Sequence, residues 1–370
     1  MISTYKKLHY LGYDDYQKFL SDNYPKNAWL TPSELFRPYY GFTIANYIHH
    51  ILSLRRKEGL TDAGIIEIGG GGGSAMGGIL DFFQNYDQYL YRNLEFKVVE
   101  ISPQMCEAME KRFKEEHKGA MDRGNLKIVN CDFLKYRNRG KGLQFLIFLE
   151  VLDNMPHDRV YWDEKKKNWG YQAMVETNED GNNAKEIKMD INDELIMEML
   201  SIYEKCPKEL DDIDRIKYEK GLVYKIYKYL SKAPFEHSLF LPTFCLQVLK
   251  HINKEFPNHS LIMSDFDMLK TKETIKEGIN APIVSKKLEK SHEKYDFQSY
   301  LVNRGEADIF FPTNFLLLSH MYSEICKKPS MFMKSHEFVN EFSKEKWGET
   351  KSGYNPLKED FMNTSFFLTK

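Results

Sequence analysis

The sequence predicts an α/β fold built on a Rossmann-like, largely parallel sheet, with N-terminal helices and a helical insertion. Three observations carry that prediction. The stretch Ile65–Leu80, IIEIGGGGGSAMGGIL, reads as an apolar strand, a glycine turn and a helix. Further strand-like apolar runs stand at 96–101, 126–130 and 143–149, with helix-compatible sequence between the first two. A last one, SLIMSDF at 260–266, follows a strong helical pattern at 243–256. Strands that alternate with helices in this way build parallel sheets.

Composition narrows the class. The chain has 370 residues and is 42% hydrophobic, enough to bury one large core or two. A formal charge of −2 gives no electrostatic drive toward nucleic acid, so no such partner is expected. No apolar run reaches the roughly 20 residues of a membrane span. The five cysteines (Cys106, Cys131, Cys206, Cys245 and Cys326) form no C-x-x-C pair, so neither a metal site nor a disulfide framework is expected. That usage suits a soluble protein in a reducing compartment. The N-terminus, MISTYKKLHYLGYDDYQKFL, is a poor secretory signal and an ambiguous transit peptide.

Taken in order, residues 3–24 read as a Tyr-rich amphipathic helix or a pair of short ones. In TPSELFRPYYGFTIANYIHHIL, Thr31 or Ser33 can cap a helix with Leu35, Phe36, Tyr40, Ile44, Tyr47, Ile48 and Ile51 on its apolar face. The first strand spans 64–68 and the helix after the glycines 75–91. A second strand, Phe96–Ile101, closes at Ser102-Pro103. Helix 104–116 turns Met105, Met109 and Phe113 inward. Leu126–Asn130 is the third strand and Leu143–Leu149 the fourth and most apolar. DRVYWD (158–163) and YQAMVET (171–177) read as two strands joined by a lysine-tipped turn. Residues 178–234 turn polar and then charged and helical, at Glu194–Cys206 and Arg215–Leu230, as an inserted lid would. Ala307–Phe311 is a late strand, and the tail from Pro329 reads as helix to about Lys346, then irregular.

The glycine run fits two cofactor classes. Glu67-x-Gly69-x-Gly71-x-Gly73 has the spacing of S-adenosylmethionine-dependent methyltransferases, and Gly70-x-Gly72-x-x-Ala75 that of a dinucleotide fingerprint. A phosphate loop is excluded, because no Lys-Ser or Lys-Thr follows. Glu100, at the end of the second strand, is the acid that both classes use to accept ribose hydroxyls. Its interval from Gly73 exceeds the roughly 20 residues expected, which a lengthened first helix absorbs. Asp132, beyond the third strand, is either an adenine contact or an ordinary turn aspartate. The fourth strand leaves through Glu150-Val151-Leu152-Asp153-Asn154-Met155-Pro156-His157. Ligands in open α/β sheets lie beyond the carboxyl ends of the strands at such a switch point, so Glu150 and Asp153 are site candidates. A nicotinamide oxidoreductase would need a relay such as Tyr-x-x-x-Lys; Tyr218 fails that spacing, because Leu222 stands four residues on, and the Tyr224–Lys228 pair that has it lies inside the insertion.

TPSELF with Gly41, EIGGGGGSAMGGIL, VVEIS, LEVLDNMPHD and the block SDFDML…GINAPIV…YLVNRGEADIFFPTNF together resemble the MidA-like methyltransferases. That family includes the mitochondrial protein arginine methyltransferase that assists assembly of respiratory complex I. The resemblance runs from about residue 28 to 320. It implies a class I methyltransferase sheet, S-adenosyl-L-methionine as cofactor, a protein substrate (a complex I subunit) and a mitochondrial location. Read along the chain, the sequence divides into an N-terminal helical region (1–63), a cofactor-binding core (64–177), an insertion or lid (178–240), the rest of the core sheet (241–328) and a tail (329–370), and the charged stretch 178–234 departs from the family pattern. On this resemblance Gly69, Gly71 and Gly73, following Glu67, hold the methionine moiety, Glu100 the ribose, and Asp132 or Phe133 borders adenine. Glu150, Asp153, Asn154 and Pro156 match the family's acidic strand-four loop. Glu34 matches the acid of its Thr-Ser-Pro-Glu segment, which here reads Thr-Pro-Ser-Glu. If the acceptor is a guanidinium, Glu34, Glu150 and Asp153 are the carboxylates to hold its N–H fork. The alternative is a non-catalytic, cofactor-binding assembly scaffold that keeps the methyltransferase fold.

Overall fold

Strand β1 (Ala63–Ile68) is buried along its whole length, with Glu67 the one charged residue in it. The computed structural model describes residues 31–57, 62–138, 140, 142–207, 238–267, 278–287, 294–344 and 346–369. The expected helix at 3–24 and the one at Arg215–Leu230, with Tyr224 and Lys228, lie outside them. Before β1 stand α1 (Pro32–Leu35) and α2 (Tyr39–Lys57). These replace the single helix expected from Thr31. Pro38 falls between them and has no N–H to continue a helix. The Thr31 hydroxyl makes no cap bond and pairs with Ser33 Oγ instead.

The helix expected at 75–91 is also two, α3 (Ser74–Tyr86) and α4 (Gln88–Asn93). Asp87 interrupts it and restarts it, its carboxylate accepting the Leu90 N–H at 3.0 Å. Then come β2 (Glu95–Glu100), α5 (Pro103–Glu116), α6 (Lys118–Arg123), β3 (Leu126–Asn130), one 3-10 turn (Phe133–Lys135) and β4 (Leu143–Leu149). Met109 and Phe113 face inward as expected, but Met105 is 46% exposed. It lies in the first turn of α5, before the helix reaches the core.

Past β4 the chain builds β5 (Asp158–Asp163), β6 (Asn168–Glu176), β7 (Lys185–Asp190), α7 (Glu194–Lys205), β8 (Ser238–Leu241), α8 (Thr243–Glu255) and β9 (His259–Phe266). The last part holds β10 (Ile283–Lys287), β11 (Lys294–Phe297), β12 (Asp308–Phe310), α9 (Phe315–Cys326), β13 (Ser330–Lys334), α10 (Ser335–Phe342), α11 (Pro356–Glu359) and β14 (Thr364–Thr369).

Seven strands form the main sheet, in the order β13-β14-β9-β4-β1-β2-β3. The β3, β2, β1, β4 and β9 neighbours pair parallel, while β14 runs antiparallel to both β9 and β13. This is the class I methyltransferase arrangement, with the switch point between β1 and β4. It corrects the expected tail. Residues 330–334 and 364–369 are sheet strands, and Phe366 and Phe367 are fully buried. The insertion is not simply helical either: β7 extends a four-stranded sheet, β7-β6-β5-β8, and only then does α7 begin. The expected late strand, β12, joins a separate sheet, β11-β10-β12.

Side chains alternate across the main sheet. Ile65, Phe145, Ile147 and Leu149 pack on one face with α2 and α3, while Ile66, Ile68, Leu146 and Phe148 pack on the other with α7, α8 and α9. Burial of both faces fixes the strand register and brings the carboxyl ends of β1, β2, β4 and β9 to one edge.

Candidate active site

The turn after β1 needs glycine at two positions for different reasons. Gly71 has φ +51°, where a Cβ is strained, and a Cβ built there would meet nothing within 4 Å. The residue therefore keeps a cleft open. Gly73 has φ +75° and is the N-cap of α3, and a Cβ on it would strike Phe113 at 2.8 Å. Here glycine allows α5 to close against the loop.

Two expected ligands brace this turn. Glu67 is 3% exposed and accepts the Met76 N–H at 3.1 Å, tying β1 to the first turn of α3. Burial, with Glu100 nearby, pushes its carboxyl up to about 8. Glu100 accepts the Gly71 N–H at 3.2 Å on one oxygen and the Ser102 N–H at 2.8 Å on the other. A carboxylate held directly beneath the glycine turn is well placed for ribose hydroxyls.

The neighbouring strand end is fastened to β2. Asn130 Nδ2 and the Cys131 N–H both donate to the Glu100 carbonyl. Asp132 follows, capping the 3-10 turn by accepting the Leu134 N–H at 2.9 Å. Ile101, the residue after Glu100, is 70% exposed and offers the apolar surface a base plane needs. Phe133 does not share that role as expected. It is buried, edge-on to Phe148 and stacked with Phe256 at 5.9 Å, so it belongs to the core beneath α8.

The third part is acidic. Glu150 follows β4 with φ +54°, a conformation that costs a non-glycine residue about 1–2 kcal/mol. Its backbone N–H donates to the Ser264 carbonyl at 2.9 Å, and its Oε1 is buried without a hydrogen-bond partner. Burial, then Asp265, Asp153 and Glu34, hold its carboxyl well above the usual range. Asp153 is 2% exposed and accepts from Asn154 Nδ2 at 2.7 Å; burial pushes it up to about 6. Asp265 is fully buried at the end of β9 and accepts backbone N–H groups from Leu152, Asp153 and Phe266 at 2.7–3.0 Å. Burial and Asp153 raise it as well.

Glu34 stands apart from these three. It is exposed on α1, its Oε1 3.4 Å from the point where a Cβ on Gly72 would sit. Among the described residues, no Lys, Arg or His is ion-paired with Glu34, Glu150, Asp153 or Asp265. Nor does any group of three or more His, Cys, Asp or Glu among them suit a metal ion. Carboxylates without a counter-charge, an orphaned buried oxygen and an open glycine turn fit an organic cation that carries a ribose. An S-adenosyl sulfonium meets each of those demands.

Sequence reasoning missed three residues. Asp265 closes a strand read correctly, and its place at a carboxyl end was the available signal. Tyr40, counted as an apolar helix position, lies under the acids and donates to Ser264 Oγ at 3.1 Å. Arg112 had no signal: its Nη1 donates to the Gly72 carbonyl at 2.7 Å and to Ser74 Oγ at 2.9 Å.

Comparison with known proteins agrees with this geometry. A COG1565 superfamily protein from Burkholderia thailandensis, bound to S-adenosyl-homocysteine, superposes with a TM-score of 0.57 at 12% identity, covering 92% of this chain and 79% of that one. A second COG1565 superfamily structure from Burkholderia thailandensis gives 0.56 at 13% identity, with 96% and 86% covered. At that identity the likeness is one of fold. No curated protein matches the chain. The family described as "Putative S-adenosyl-L-methionine-dependent methyltransferase" matches residues 43–332. The chain belongs to this methyltransferase family, whose cofactor is S-adenosyl-L-methionine.

Proposed function

We propose that the protein methylates arginine side chains of a protein partner. The observation that carries this reading is Glu150: a buried carboxyl with an oxygen that has no hydrogen-bond partner among the described residues, beside Asp153, at the carboxyl end of β4 and ion-paired with no described cation. When bound, the cofactor supplies a methyl group on a sulfonium that is already activated toward nitrogen. The protein's part is then alignment and charge. Glu150 and Asp153 accept the planar N–H fork of a guanidinium and leave one nitrogen directed at the methyl group. Transfer to that nitrogen would break the methyl–sulfur bond, leave a neutral thioether and free one proton from the nitrogen. Glu150, whose proton affinity burial has raised, accepts it.

The motifs shared with the MidA-like methyltransferases support a finer placement, in mitochondria, on a subunit of respiratory complex I. Among the described residues no helix is long and apolar enough to cross a membrane.

The test presents purified protein and labelled S-adenosylmethionine with peptides centred on arginine, lysine or histidine, and locates the label by mass spectrometry. Methyl groups on arginine are expected, with transfer lost in Glu150→Gln while S-adenosylhomocysteine still binds. Methylation of lysine, or cofactor binding with no transfer to any peptide, would overturn the reading. The second outcome would leave an assembly scaffold.

A further inference from the structure

We propose that Glu34 receives the α-ammonium group of the cofactor's methionine portion and not the methyl acceptor, an inference that rests on the cofactor assignment above. The three other acids belong to one assembly: Glu150 and Asp153 sit on the strand-four loop, and Asp265 fastens that loop. Glu34 has no bond to the loop. It comes from α1 and rests against Gly72 of the glycine turn.

The turn orders the carboxylates along itself. Glu100 accepts from Gly71, and Glu34 lies against Gly72, the next residue. One acid is thus held beneath the turn by backbone donors, while the other stands over it without a cationic partner among the described residues. Its charge reaches Glu150 more weakly than those of Asp265 and Asp153 do. A Gly72 carbonyl is already taken up by Arg112 from α5. Backbone alone therefore offers an ammonium group less here than it would in a turn with that carbonyl free, and Glu34 supplies the missing acceptor. Arg112 acts through the loop, as a positioning residue.

The distinction is measurable because S-adenosylhomocysteine carries the same α-ammonium, and an analogue without the α-amino group does not. Calorimetry compares both ligands on the intact chain, Glu34→Gln and Glu34→Asp. The unchanged protein is expected to prefer S-adenosylhomocysteine by about tenfold or more, the value of one charge-assisted contact. Glu34→Gln is expected to bind both ligands alike, and Glu34→Asp to keep part of the preference. Because Glu34 is exposed, its thermal unfolding should not move. A full preference surviving in Glu34→Gln would overturn the inference while leaving the cofactor assignment intact. Absence of S-adenosylhomocysteine binding to the unchanged protein would remove both. With an arginyl peptide held at saturation and S-adenosylmethionine varied, Glu34→Gln should raise KM for S-adenosylmethionine and leave kcat unchanged. A fall in kcat with unchanged cofactor affinity would return Glu34 to the acceptor.

Discussion

Asp265 Oδ2 accepts the backbone N–H of Asp153 at 3.0 Å, so the end of β9 carries the loop that leaves β4. The same oxygen accepts Leu152 N–H at 2.8 Å, while Oδ1 takes Phe266 N–H at 2.7 Å. An amide in place of this carboxylate would turn a donor toward one of three donors. Asp265→Asn should therefore loosen the loop, lowering kcat about 10- to 100-fold, as mispositioning by a fraction of an ångström does. Affinity for S-adenosylhomocysteine should stay within about twofold, since Glu100 and the glycine turn are untouched. Steady-state kinetics with parallel calorimetry checks this; an unchanged kcat would show that the loop holds itself.

Gly71 should be the most sensitive position of the glycine turn for binding. Its φ of +51° penalises any Cβ by about 1–2 kcal/mol, and the space a side chain would take is the open cleft. Gly71→Val should abolish detectable S-adenosylhomocysteine binding in calorimetry, and Gly71→Ala should weaken it. Retained affinity in Gly71→Val would mean that the cofactor does not cross the turn.

What the sequence made legible follows from how each element is buried. Strands β1, β4 and β9 are buried along almost their whole length, so their sequences are dominated by apolar residues and their bounds are legible within a residue or two. The end of the chain is not. SMFMK in β13 has no alternation, with Met331 and Phe332 both exposed, and TSFFLT in β14 gains its partners from β9, a hundred residues earlier. No local pattern encodes that pairing. In the site, glycine spacing and strand-end acids pointed to Gly71, Glu100, Glu150 and Asp153. Phe133 could not be judged, because adjacent residues around Asp132 face different surroundings. Arg112 depended on how α5 docks, which one side chain in a charged helix does not announce.

The tail's role in the core has its own test. Phe366 is fully buried in β14, stacked on Phe338 at 3.9 Å and 6.0 Å from the Tyr40 ring. Phe366→Ala should cost about 3–5 kcal/mol in chemical denaturation. Because Tyr40 reaches Ser264 beside the acids, turnover should fall in the folded fraction too. A loss under about 1 kcal/mol would mean that the tail is not part of the sheet's core in solution.

Glu67 gives the protein a stability that declines with pH. Its carboxyl rises from 4.5 to about 8 on folding, through burial first and Glu100 second, against the Met76 hydrogen bond. Between those values the folded chain keeps a proton that the unfolded chain has released. Stability is therefore lost as pH rises through that window, by at most about 1.4 kcal/mol per unit, and levels off above it. Glu150 and Asp153, also raised, add slope of the same sign. Glu67→Gln removes one titrating group and keeps an amide oxygen to accept from Met76. Its unfolding free energy should match that of the unchanged protein near the lower end of the window and exceed it at the upper end, with a shallower fall between. Denaturation series at several pH values measure both slopes. Parallel slopes would show that Glu67 stays ionised across the range, and that the brace between β1 and α3 is a charged one.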